Sequence, residues 1–335
     1  MSKHSKFLVA VLTATVLLAA CSGAFAATLN AYSIMPEKYA SQVFAQFTKD
    51  TGIKVNFIRF SAGEALARLT AEKANPQVDV MLGGPADTYT AGEKDNIFMP
   101  YEPKNVAKNV PAKYRDPKGR WTGIGLIPLC FLTNTDFLKK NNLKAPTSWN
   151  DLLLPVYKNG LQMADARTSG TAAERIYSLV AVYGVDKAFD YQKKLHKNVQ
   201  LYTKSGAGGA MPVAQGQAAS GIFYLVDALE IEQQGFHVVI SYPKEGVTYG
   251  IEASGIINGC KNLNEAKAFE DWAASKKLGQ FFIDNKINYI PVVKGVKVTS
   301  PALNMKKVKL LELSAEQKGA KREAYIDRWV KEVIQ

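Results

Sequence analysis

The sequence predicts an α/β protein of two lobes, each an open mixed sheet flanked by helices, joined by two crossover strands. Three observations carry this reading. Residues 28–85 run β-α-β-α-β, a second α/β run starts near residue 130, and two long β-rich stretches lie near 123–135 and 238–256. Alternating strands and helices build open sheets with helices on both faces. Two extended crossings let one unit be inserted into the other, leaving a cleft between them. Hinged closure around a ligand is the motion such an arrangement permits.

Each element has its own signal. "TLNAYSI" (28–34) is short and β-rich. Tyr39, Val43, Phe44 and Phe47 then recur at helical spacing, and Gly52 stops the helix. "IKVNFIRF" (53–60) alternates with period two, as a half-buried strand does. Ser61-x-x-Glu64 has the form of a capping box before the helix of 61–76, and "VDVMLGGP" (78–85) is a third strand ending in a glycine turn. Beyond the first crossing, 160–166, 199–205 and 221–226 read as strands, and 170–184, 186–198 and 210–221 as helices. After the second crossing, 263–285 reads as one helix, and "AKREAYIDRWVKEVI" (320–334) as an amphipathic one. The expected division is 27–128 plus 247–295 for the N-terminal lobe and 129–246 plus 296–335 for the C-terminal lobe.

Residues 1–26 stand apart as a signal peptide. Lys3 and Lys6 precede the apolar run "FLVAVLTATVLLAA", and Ala24-Phe25-Ala26 has the small-x-small form of a cleavage site. "LAAC", ending at Cys21, offers the alternative of a lipid anchor, but the first strand follows too soon to leave much tether. The expected location is the periplasm. Later apolar runs are too short to span a bilayer.

With 47% hydrophobic and 21% charged residues, the chain is globular rather than disordered. Its net charge of +12 comes from lysines scattered through helix-like segments, which are read as a solvated surface rather than a nucleic-acid stripe. A positive balance favours a small anionic ligand. Cys130 and Cys260 make no disulfide framework, and two cysteines with scattered histidines make no metal site. There is no G-x-S-x-G, H-E-x-x-H or G-x-x-x-x-G-K-[ST] motif, so no catalytic residue and no cofactor is expected.

Small hydroxyls and glycines recur where strands end, which is where open sheets bind ligands. Ser33 follows the first strand, Ser61-Ala62-Gly63 the second and Gly83-Gly84 the third; in the second lobe, Ser169-Gly170-Thr171 and Ser205-Gly206 follow strands. Helix starts offer unpaired N–H groups and partial positive charge, which together hold phosphate or carboxylate. Capping alone would account for Ser61 and for Thr171-x-x-Glu174, but it does not require recurrence in both lobes. With Thr171 as the cap, Ser169 is left over for a ligand. Asp227 and Glu252 are acids in apolar surroundings near the second crossing, placed to accept from ligand hydroxyls or an amine, or to serve a structural partner. Tyr224 is a cleft wall or core.

"LNAYS", "FTKDTGIKVNFIRFSAGEALARLTAEKANPQVDVMLGG", "DARTSGTAAERIYSL", "GQAASGIFYLVDA", "YPKEGVTYGIEASGIINGCKN" and "AKAFEDWAASKKLGQ", in that order behind an export signal, resemble the solute-binding proteins of bacterial ABC importers. The similarity is to the branch that holds ferric-ion, sugar-phosphate and 2-aminoethylphosphonate binders. It implies a two-lobed type II periplasmic-binding fold, a monomer that delivers its ligand to a membrane permease, and no enzymatic turnover. Ferric binders carry adjacent tyrosines in the segment matching "GIFYLVDA"; here it reads Phe223-Tyr224-Leu225, without the pair. The resemblance therefore implies a phosphoryl group held by Ser33, Ser61, Ser169, Gly170 and Thr171, with Gly84 and Ser205 beside them. Asp227 and Glu252 would take the polar tail. A ferric ion is the alternative ligand.

Overall fold

The computed structural model describes residues 27–335; the expected signal peptide and Cys21 lie outside them. Ten strands form the sheet: β1 (Thr28–Ser33), β2 (Lys54–Arg59), β3 (Val80–Pro85), β4 (Thr122–Asn134), β5 (Leu161–Ala164), β6 (Val199–Thr203), β7 (Ser220–Tyr224), β8 (Val238–Ser241), β9 (Tyr249–Ile256) and β10 (Ile290–Pro291). The order is β2-β1-β3-β9-β4-β7-β5-β6, with β8 and β10 pairing off β4. β1 runs parallel to β2 and β3, and β5 parallel to β6 and β7, whereas β9 and β4 enter antiparallel. The fold is mixed α/β, as the alternation of strand and helix patterns predicts.

β4 belongs to both ends of this sheet. Thr122 to Pro128 pair with β9, and Leu129 to Thr133 pair with β7. Pro128 marks the exchange. Proline has no N–H to give a ladder, so it sits where one pairing stops.

Helices cover the sheet for reasons visible in their sequences. In Glu37–Thr51, Tyr39, Ala40, Val43, Phe44 and Phe47 are buried along one face, and Gly52 closes the helix in the left-handed region. Phe44 and Phe47 pack on Phe269, and Phe47 also on Trp272, of the helix Leu263–Ala273. Each such ring contributes roughly 1.5–3 kcal/mol by leaving water.

The structure departs from the sequence reading in several places. Helices Ala86–Ala91 and Leu225–Gln233 appear directly after β3 and β7. The expected helix 263–285 is two helices, because Ser275 caps a new start at Lys276 by accepting from the Lys277 N–H. The helix expected over 210–221 stops at Ala214, and the tail helix begins earlier, at Ala315, with Ser314 as its cap. Cys130 and Cys260 are both free thiols.

The tail helix Ala315–Trp329 carries two buried cations to two buried acids. Arg322 meets Asp87 on Ala86–Ala91, and Lys318 meets Glu174 on the helix Gly170–Tyr183 at 2.6 Å. The Tyr177 hydroxyl also donates to Asp87, at 3.1 Å, and Lys318 donates to the Tyr249 carbonyl at 2.8 Å. One helix thus ties elements flanking both ends of the sheet to the start of β9.

Two stability outcomes follow from these buried charges. Arg322→Met leaves Asp87 uncompensated and should cost about 3–5 kcal/mol, read from denaturant midpoints at neutral pH. Glu270, buried and accepting from the Ser254 hydroxyl at 2.9 Å, is pushed up to about 8 by burial. The fold therefore prefers its neutral form; this contribution is complete below the ordinary value of 4.5 and is lost as pH rises through about 8. Glu270→Gln should melt above the wild type at pH 8 and level with it at pH 4.5.

Candidate functional site

The carboxyl ends of β1, β2 and β3 face those of β5 and β7 across a cleft, so the turns after these strands form its walls. Ser61, Ala62, Gly84 and Pro85 line one side, and Ser169, Gly170, Thr171, Gly206 and Ala207 the other. Tyr224, Asp227, Glu252 and Tyr289 lie around the same space, with Arg59 at its edge and Ile34, Ile127 and Val226 as apolar wall.

Helix Gly170–Tyr183 points its start into the cleft. Its N-cap is Ser169, in extended conformation, and not Thr171 as the capping-box spacing suggests. The reason is the fate of Glu174. It is fully buried on Lys318 and is unavailable to reach back along its own helix. Ser169 makes no capping hydrogen bond, and its hydroxyl is buried without a partner. The first intrahelical bond runs from the Ala173 N–H to the Ser169 carbonyl at 3.2 Å, so the helix does not use the amides of Gly170, Thr171 and Ala172. Three free amides, a free hydroxyl and the positive end of the helix dipole converge there.

Opposite stands the start of helix Ala62–Glu72. The Glu64 carboxylate accepts from the Ser61 N–H at 3.2 Å and from Lys204 across the cleft mouth. The Lys204 ammonium is the main cause that holds Glu64 below its ordinary range. Between these helix starts, Gly83 and Gly84 both take left-handed φ, +88° and +79°. A side chain on Gly84 would meet Ile34 at 2.6 Å, so only glycine lets this turn lie against β1.

The other end of the cleft is acidic. Burial pushes Asp227 up to about 7, against the pull of Arg59 and with Glu230 adding to the rise. Burial likewise raises Glu252 to about 7, although the Gly84 amide and the Tyr289 hydroxyl donate to it; Asp227 adds to the shift. Two carboxyls near neutrality can accept from hydroxyls or an amine, and either can carry a proton. The Tyr224 hydroxyl is at 3.3 Å from the Gly170 carbonyl and joins the two ends.

Eight of the residues predicted from sequence thus share one cleft: Ser61, Gly84, Ser169, Gly170, Thr171, Tyr224, Asp227 and Glu252. Ser33 is fully buried behind the wall, with its hydroxyl unpartnered. Ser205 lines the adjoining mouth with Arg59, Glu64 and Lys204. Sequence reasoning missed Arg59 and Tyr289. Arg59 is the last residue of β2, in register with Ser33, and the strand-end argument that selected Ser33 applies equally to it. Tyr289, before the two-residue β10, has no local signal. Among the described residues, no group of three or more His, Cys, Asp or Glu side chains is placed to hold a metal ion. No helix there is long and apolar enough to cross a membrane.

Comparison with known proteins places this geometry. Residues 75–313 match the family described as bacterial extracellular solute-binding protein. An uncharacterized protein of Haemophilus influenzae is 34% identical, over 86% of this chain and 85% of its own length. An Fe(3+)-binding periplasmic protein of Serratia marcescens is 27% identical, over 93% of this chain and 92% of its own. Among solved structures, the periplasmic binding protein AfuA of Actinobacillus pleuropneumoniae, with exogenous fructose 6-phosphate bound, superposes with a TM-score of 0.88. It is 32% identical, and the match covers 92% of this chain and 99% of that one. The Serratia marcescens and Actinobacillus pleuropneumoniae proteins are periplasmic binding proteins. A cleft walled by two helix starts, on a fold shared along nearly its whole length with such proteins, makes this chain a member of the bacterial extracellular solute-binding proteins, the substrate-capturing components of ABC importers.

Proposed function

We propose that the cleft captures a small phosphorylated or phosphonate solute, which the protein, as a periplasmic monomer, delivers to a membrane permease. The observation that carries this is the buried, unpartnered Ser169 hydroxyl beside three unused amides, facing a second helix start at Ser61–Ala62. An unpaired buried hydroxyl is costly unless something arrives to meet it. Arg59 adds a cation at the edge of the same space. Asp227 and Glu252 then take the hydroxyls or amine of the organic end, and Ile34, Ile127 and Val226 its carbon frame. The likeness to AfuA supports a phosphoryl ligand, since that structure holds fructose 6-phosphate.

The same reading takes the chain as two lobes, 27–128 with 247–295 and 129–246 with 296–335, hinged where the chain crosses between them. Its support is the exchange of partners along β4 between Pro128 and Leu129, and the start of β9 at Tyr249. The tail helix, tied to Asp87 as well as to Glu174, lies across both lobes.

A ferric ligand is the second reading. Tyr289 joins Tyr224 at the cleft, beside Asp227 and Glu252, and hard oxygens suit a hard cation. The segment Phe223-Tyr224-Leu225, however, lacks the adjacent tyrosine pair that the resemblance to ferric binders implies.

Thermal shift against fructose 6-phosphate, 2-aminoethylphosphonate, inorganic phosphate and ferric citrate separates the two. A phosphoryl ligand at a hundred times its Kd should stabilise the protein by about 2.7 kcal/mol. Response to ferric citrate alone, with a visible charge-transfer band, would overturn the phosphoryl reading.

Asp227→Asn should act in opposite directions on stability and binding. The wild-type carboxyl, raised from 3.8 to about 7, contributes fully below the lower value and loses its contribution as pH climbs through the higher one. The asparagine variant escapes that loss, so its ligand-free form should melt higher at pH 8 while its Kd weakens. A lower ligand-free midpoint at pH 8 would mark Asp227 as a structural residue.

A further inference from the structure

The two helix starts that face the ligand touch each other through backbone. The Gly63 N–H, in the first turn of Ala62–Glu72, donates to the Thr168 carbonyl at 2.8 Å. Thr168 immediately precedes Ser169, the N-cap of the opposite helix. A Cβ added at Gly63 would lie 2.4 Å from the Arg167 carbonyl oxygen and 3.0 Å from the Thr168 Cα. Both are main-chain atoms, so no side chain can turn aside to make room. Gly63 is not among the positive-φ glycines, and alanine is the better helix former, so its own helix gives no reason for glycine here.

The neighbouring contacts are of another kind. Lys204 reaches Glu64 at the same mouth, but its side chain is 73% exposed, and an exposed ion pair contributes little to holding two surfaces together. Gly170 repeats the close approach, since a Cβ there would meet Pro85 Cγ at 2.8 Å. Gly63 differs because it combines a hydrogen bond between facing turns with a clash against main chain.

We propose that Gly63 is a positioning residue for ligand capture: its missing side chain sets how near the Ser61–Ala62 and Ser169–Thr171 turns can come, and hence whether both grip one ligand. This rests on the phosphoryl-capture reading above. A rotation that separates the halves breaks the Gly63–Thr168 bond; one that brings them together requires the space a methyl group would fill. The binding-competent population, and with it the apparent affinity, then falls when that space is occupied.

Gly63→Ala tests this in the purified protein, with fructose 6-phosphate as probe, calorimetric titration for affinity and small-angle scattering for compaction. The expected result is a ligand-free midpoint at or above wild type, affinity weaker by about tenfold or more, and a reduced ligand-induced contraction. Affinity equal to wild type would overturn the proposal. So would a variant that misfolds or melts lower without ligand, since that marks Gly63 as a packing residue. A wild-type protein that binds neither fructose 6-phosphate nor 2-aminoethylphosphonate used in its place removes the functional reading and this inference with it, whereas equal binding by wild type and variant removes only the inference.

Discussion

The structure depends on one strand that serves two sets of neighbours. β4 gives its first half to β9 and its second to β7 and β8, and it does so without a break in its thirteen residues. Backbone hydrogen bonds on both sides make either half of it costly to leave unpaired. At the exchange between Pro128 and Leu129 the ladder gives up least, since proline has no donor to contribute there. Everything that faces the cleft, from Ser61 to Ser169, hangs from strands attached on one side or the other of that point.

The cleft separates two chemical demands along its length. Near Ser169 there are donors without acceptors: amides, a hydroxyl and a helix terminus. Near half-buried Asp227 and fully buried Glu252 there are acceptors that burial raises to about 7. On the proposed reading, a guest with negative charge at one end and hydroxyls or an amine at the other satisfies both. Tyr224, whose hydroxyl donates to the Gly170 carbonyl at 3.3 Å, lines the same space as Val226 and Asp227.

Much of this was legible in the sequence, and the reasons for what was not are physical. The β-α-β-α-β run of 28–85 declares itself because β2 alternates, β3 is a short, fully buried apolar run that ends in a glycine turn, and each helix has a single apolar stripe. Helices Ala86–Ala91 and Leu225–Gln233 escaped because they start without a loop after buried strands, so apolar "GGPADTY" and "FYLVDALE" read as continuations or turns. Asp227 was singled out as an acid in apolar surroundings, but its place in a helix's first turn was not visible. The capping spacing at Thr171 misled because Glu174 is claimed by Lys318, a residue 144 positions away that local pattern cannot supply. Arg59 breaks the alternation of β2: it shares the inner face of Val55 and Phe57 while Ile58 is exposed, and its position at the strand's end is the signal that marks it.

The tail helix carries a consequence for the order of assembly. Asp87 and Glu174 are both buried, yet their partners Arg322 and Lys318 belong to the final stretch of the chain. A polypeptide is made from its amino end, so these acids exist for most of synthesis with nothing to neutralise them, and desolvating them in that interval is unfavourable. The native arrangement around the cleft can be completed only when the last helix arrives. Until then the nascent chain retains two charged reasons to stay open.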